Sequence, residues 1–152
     1  LGLFTLFCND PSAEGGGATS FGAAFESLNS LPRRSRLVVV VSDFRGPRDW
    51  ANAMVELAGR HSVIAVEIQD PREQELPDVG ELWLVDPETG RQLRVDTRSK
   101  QLRERFAAAA AQDRAEVAGL LARAGVQHAV LSTRGDWLRS LAGFLNAKGA
   151  AR

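Results

Sequence analysis

A run of five apolar residues, Leu37-Val38-Val39-Val40-Val41, constrains this chain more than any other stretch in it. Four are β-branched and favour an extended backbone. An alternating strand would keep one wet face. A continuously apolar one is expected to be buried on both faces, as in the middle of a parallel sheet. Ser42 and Asp43 end the run, and Gly46 and Pro47 turn the chain. Trp50, Met54 and Leu57 then fall at helical spacing, with Gly59 placed to cap that helix. Val63–Ile68 predicts a second buried strand and Val126–Ser132 a third. Between them, Leu82–Val85 and Leu93–Val95 flank Asp86-Pro87-Glu88-Thr89-Gly90, the pattern of a β-hairpin.

Three more elements complete the pass. Leu3–Phe7 predicts a short buried strand. After the loop Asn9–Thr19, Ser20 opens a helix carrying Phe21, Phe25, Leu28 and Leu31, which Pro32 stops. A long helix from Ser99 to Ala124 bears the stripe Leu102, Phe106, Ala110, Val117, Leu120 and Leu121, and Gly125 closes it. Asp136 caps a last helix with Trp137, Leu138, Leu141, Phe144 and Leu145 on its apolar face. Strands and helices alternate. The expected fold is therefore α/β: a doubly wound, mostly parallel sheet with helices on both faces and a β-hairpin insertion near 82–95. A length of 152 residues suits one domain.

Charge narrows the partners. Nineteen basic residues balance nineteen acidic ones, so neither nucleic acid nor a membrane surface is the expected partner. The single cysteine, Cys8, forms no internal disulfide and is expected to pack as a small hydrophobe. No apolar run approaches the roughly 18–20 residues of a spanning helix. Leu1–Phe7 is short and lacks a basic lead, so it does not resemble a signal peptide. A cytoplasmic location is expected.

In open α/β sheets, ligands sit beyond the carboxyl ends of the strands. Three such ends are predicted: Ser42-Asp43, Gln69-Asp70 and Ser132-Thr133. A carboxylate at the first would sit on a rigid element. With hydroxyls from Thr19 and Ser20 it could hold Mg²⁺, which keeps several of its own waters. The plainer alternative is that Ser42 and Asp43 only shape the turn that follows. Glycines 15–17 match neither phosphate-binding fingerprint, and no G-x-S-x-G is present. His61 and His128 are expected to be structural, and one cysteine gives no zinc site. Arg134-Gly135-Asp136 is better explained by the cap at Asp136 than as an adhesion tripeptide. Arg98, Lys100, Arg103, Glu104 and Arg105 are expected to be a solvated helix face.

Four segments carry a resemblance: Leu37–Phe44 (LVVVVSDF), Ala65–Leu76 (AVEIQDPREQEL), Pro77–Gly80 (PDVG) and Leu84–Thr97 (LVDPETGRQLRVDT). Together they resemble a bacterial family with a von Willebrand factor A-like fold, domain of unknown function fifty-eight. Its members typically accompany MoxR-type AAA+ ATPases. The resemblance spans about Gly15 to Phe144. It implies a metal-ion-dependent adhesion site built from three loops on the sheet's top edge. Its Gly-Thr segment is matched by Gly17-Ala18-Thr19-Ser20, with one residue inserted, and its Ser-Asp strand ending by Ser42-Asp43. For the third segment, D-x-S-x-S, two readings stay open. Either Leu1–Asp10 is the family's second strand and the domain lacks its first, or Leu3–Phe7 is the central strand and Asp10-Pro11-Ser12-Ala13-Glu14 is a degenerate version. The implied metal residues are thus Thr19, Asp43, Asp10 and Ser12, with Mg²⁺ as cofactor.

The resemblance implies a non-enzymatic, chaperone-like interaction module that works with a MoxR-type ATPase on a client protein. A metal-free scaffold binding through the hairpin or the long helix is the alternative, with Trp83 as a candidate anchor, although core packing is its expected role. A receiver-like phosphoacceptor role for Asp43 would require a lysine after a late strand, where Ser132-Thr133-Arg134 stands instead.

Overall fold

The computed structural model describes Phe25, Leu28 and residues 36–85 and 90–149. The expected strand Leu3–Phe7, Cys8, the cap Ser20, the hairpin loop 86–89 and the candidates Asp10, Ser12 and Thr19 lie outside the described residues. The elements run β1 (Leu37–Ser42), α1 (Trp50–Arg60), β2 (Ser62–Gln69), β3 (Glu81–Val85), β4 (Gln92–Asp96), α2 (Lys100–Arg123), β5 (Gln127–Ser132) and α3 (Trp137–Gly149), with a 3-10 turn at Pro71–Glu73. β1, β2 and β5 form a parallel sheet in that order, and β3–β4 is a separate antiparallel hairpin. The chain is α/β with a mostly parallel sheet, as its alternation predicts.

Register decides which side chains share a face. Val38 aligns with Val63, Val40 with Ala65 and Ser42 with Glu67, while Ala65 aligns with His128. On this face Val40, Val63 and Ala65 join Trp50, Met54 and Leu57 of α1, Val117 and Leu121 of α2, and Phe25 in one core. The other face buries Val66, Ala129 and Leu131, and α3 packs against β5. Among the described residues, no helix is long and apolar enough to cross a membrane.

β1 corrects one expectation. It stands at the end of the strand order, and Leu37, Val39 and Val41 are 48%, 49% and 61% exposed. One face of the run is buried, not two. Among the described residues no element is stacked on the second face over β1, and a neighbouring strand stands on one side alone. α3 shows the same shortage of cover: Leu141 and Phe144 are half-buried while Trp137, Leu138 and Leu145 remain exposed.

The helix ends follow their signals, with one change. Ser99 Oγ accepts from Leu102 N at 3.3 Å, and Asp136 Oδ1 accepts from Arg139 N at 3.0 Å, as caps do. Gly125, at φ +70°, follows α2, which suits a residue without a Cβ. Gly59 lies inside α1, and the cap falls on His61, whose N–H donates to Leu57 O.

The hairpin is fastened at its base. Thr97 is fully buried. Its hydroxyl donates to Gly80 O at 2.6 Å and accepts from Val79 N at 3.1 Å. Gly80 sits at φ +87°, where L side chains are strained. Arg103 adds a tie: it donates to Thr97 O at 2.5 Å and pairs with Asp78 at 3.1 Å, so this residue of the expected solvated cluster is engaged. Elsewhere in that cluster Lys100 and Glu104 form an exposed helical pair. Trp83 is 62% exposed, against the expectation of core packing, because a two-stranded sheet with no described layer on that face does not cover it. Thr97→Val should cost about 1–3 kcal/mol by leaving buried polar groups unpaired. Amide exchange of β3 and β4 should rise more than that of β2. Thr97→Ser, which keeps the hydroxyl, should restore most of the protection; equal exchange in both variants would remove the hydroxyl from the account.

Candidate functional site

The parallel strands present their carboxyl ends together. Ser42 is level with Glu67, Gln69 is level with Ser132, and Thr133 N donates to Gln69 O at 2.9 Å. A cleft of about 50 Å³ opens here, lined by Asp43, Glu67, Gln69, Asp70, Asp113 and Arg114 among others. That volume admits a few waters. It is well below the roughly 300–1,000 Å³ of a small-molecule site.

Asp43 stands just past the last residue of β1. Its Oδ1 accepts from Arg45 N at 3.1 Å, and Ser42 Oγ accepts from Phe44 N at 2.9 Å. The turn chemistry considered above is therefore present, and it orients the Asp43 carboxylate. Phe44 adopts φ +53°. For a bulky non-glycine residue this left-handed conformation costs on the order of 1–3 kcal/mol. It is held in place: the ring is buried and packs at 5.2 Å and 58° against Trp50. Arg48 Nη1 donates to Phe44 O at 2.5 Å and to Gly46 O at 3.0 Å, while Nη2 pairs with Asp113 of α2. Arg45 bridges to Glu73 at 2.6 Å, and Asp70 Oδ1 accepts from Arg72 N at 2.9 Å.

Beneath the cleft lies a polar chain that sequence reading missed. Glu67, in the middle strand, is 3% exposed. His128 Nε2 lies 2.7 Å from Glu67 Oε2. Gln69 Nε2 donates to Glu67 Oε1 at 2.6 Å, and Gln74 Nε2 donates to Gln69 Oε1 at 2.9 Å. A buried carboxylate survives where such partners replace water. The one sequence signal was a lone acidic residue inside the apolar run Val63–Ile68. His128, expected to be structural, contributes its ring to this chain from β5. His61 is buried too, and its Nδ1 finds no partner among the described residues.

Of the four candidate metal residues, Asp43 alone is described; Thr19, Asp10 and Ser12 are not. Among the described residues, no group of three His, Cys, Asp or Glu side chains converges as metal ligands do. Of the four candidates, the described residues thus bring one carboxylate, Asp43, already bonded to a backbone N–H, and this alone does not make a cation site.

Comparison with known proteins supplies relatives. The family model described as protein of unknown function DUF58 matches residues 3–116. An uncharacterized protein of Mycobacterium avium is 36% identical over 148 residues, covering 96% of this chain and 86% of that protein. Uncharacterized proteins of Mycobacterium bovis and Mycobacterium tuberculosis are each 38% identical over 140 residues, covering 91% of this chain. The chain spans 43% of the length of those two relatives. No solved structure matches it.

Proposed function

This chain belongs to the family of proteins of unknown function DUF58, and we propose that it is a non-enzymatic protein-interaction module whose working surface is the rim around Asp43. The observation that carries this reading is the pairing of a conformationally held carboxylate with a cleft of only about 50 Å³. Such a site suits a side chain presented by another protein better than a metabolite. The three parallel strands fit part of a von Willebrand factor A-like, doubly wound sheet, and the family resemblance is what suggests a MoxR-type AAA+ ATPase as partner. In this reading the module, in the bacterial cytoplasm, helps that ATPase assemble or activate a client, with a Mg²⁺ contact at Thr19, Asp43, Asp10 and Ser12. The cation would supply directional attraction for a partner carboxylate, and Asp43 is the described residue that would face it.

Asp43→Ala is expected to reduce capture of the cognate MoxR-type ATPase at least tenfold, with unchanged thermal unfolding. Capture would be measured with wild type and variant, each in Mg²⁺ and in EDTA. Equal capture in all four samples would remove Asp43 and the cation together. Loss on mutation without a chelator effect would retain the rim and discard Mg²⁺. A metal-free scaffold is the second reading, favoured by the exposed Trp83 on the hairpin, since exposed tryptophan is a frequent interface anchor. Chelator-insensitive capture lost on replacing the hairpin by a short turn would establish that alternative.

A further inference from the structure

We infer that Arg48 is a positioning brace that couples α2 to the Asp43 loop; the inference rests on Asp43 being the binding residue, as proposed above. The loop from Asp43 to Asp49 is held by local and distant contacts. Local ones include the Ser42 hydroxyl on Phe44 N, the Asp43 carboxylate on Arg45 N and the Phe44 ring against Trp50; Arg45 also pairs with Glu73 of the 3-10 turn. Arg48 reaches beyond them. One nitrogen of its guanidinium caps the carbonyls of Phe44 and Gly46. The other pairs with Asp113, 65 residues later on α2. A planar fork suits this task, because one rigid group serves acceptors in fixed directions.

The two ends of the brace differ in exposure. The Arg48 side chain is 19% exposed and that of Asp113 is 55%. The pair is therefore not a buried staple. It is a link whose outer end lies at the surface, on the same cleft that Asp43 lines. While Asp113 holds the guanidinium, Arg48 is aimed at both loop carbonyls, and Phe44 keeps the left-handed conformation that sets Asp43 and Arg45. A partner that competes for Asp113 would release the fork and loosen the loop across the cleft. The state of α2's outer surface thereby regulates how Asp43 is presented.

The test is amide hydrogen exchange by NMR on the full chain, with Arg48→Ala, Arg48→Lys, Asp113→Asn and the double variant Arg48→Ala/Asp113→Asn. The probe is the Arg45 amide, which donates to Asp43 Oδ1. Its exchange is expected to rise about tenfold or more in Arg48→Ala and Asp113→Asn, as for a local opening. Amides of Val66 and Leu121 should change less than about twofold. The lysine variant, lacking the fork, should not rescue, and the double variant should be no faster than Arg48→Ala alone. An Arg45 rate that moves only in step with the core amides, or that ignores Asp113→Asn, overturns the brace. ATPase capture by the same variants separates the two readings: faster Arg45 exchange with undiminished capture keeps the brace and discards Asp43 as the binding residue.

Discussion

Trp50→Ala is expected to cost about 3–5 kcal/mol, as removal of a buried large aromatic side chain does. Trp50 opens α1 with its ring fully buried. It packs in the same core as Val40, Met54, Leu57 and Leu121, so the indole space cannot refill without moving both sheet and helix. Against a typical stability of about 5–15 kcal/mol, the loss is a large fraction. At roughly 2–4 °C per kcal/mol for a chain of this size, the thermal midpoint should fall by roughly 6–20 °C. Trp50→Phe provides the contrast. The indole Nε1 is buried and finds no acceptor among the described residues, so phenylalanine removes an unsatisfied donor while keeping a ring for Phe44 to pack on. That variant should lose less than half as much. Equal losses in thermal unfolding followed by circular dichroism would contradict this account of the core.

His128→Ala should cost about 1–3 kcal/mol, because it takes a hydrogen-bond partner from the buried Glu67 side chain and leaves Gln69 as its remaining side-chain partner among the described residues. Replacing both members of a buried hydrogen-bonded pair by apolar groups of similar shape can be nearly neutral, yet removing one member leaves the other unsatisfied and is costly. The double variant Glu67→Met/His128→Leu should therefore recover to within about 1 kcal/mol of wild type. Urea unfolding of the two single variants and the double one gives the coupling directly. A loss below about 1 kcal/mol in His128→Ala would mean that the buried Glu67 side chain does not depend on the imidazole. A double variant as damaged as the singles would show that the cleft floor depends on the polar chain itself.

Much of the fold was legible because its signals are local. The apolar runs at Leu37–Val41 and Val63–Ile68, the helical stripe of Trp50, Met54 and Leu57, and the hairpin flanks Leu82–Val85 and Leu93–Val95 each act within a few positions. The caps at Ser99 and Asp136 are as short-ranged. The position of β1 was not legible. A run of valines looks the same whether its second face is covered or open, and exposure there depends on what else is layered on the sheet. Trp83 was misplaced for the same reason, since nothing in Leu82–Val85 says whether a second layer will meet the hairpin.

The site divides along the same line. Asp43 could be singled out because a strand end followed by a turn is a local pattern. Glu67 and His128 stand 61 residues apart, and Arg48 and Asp113 stand 65 apart. They meet only because β2 and β5 adopt one parallel register and α2 returns across the loop. By itself the sequence determined the order and kind of the described strands and helices from Leu37 onward and put Asp43 at a strand end, since backbone preference and side-chain periodicity act over a few residues. The tertiary structure alone decided which faces are covered, which carboxylate is buried and which guanidinium holds the loop, because those outcomes depend on contacts between segments far apart in the chain.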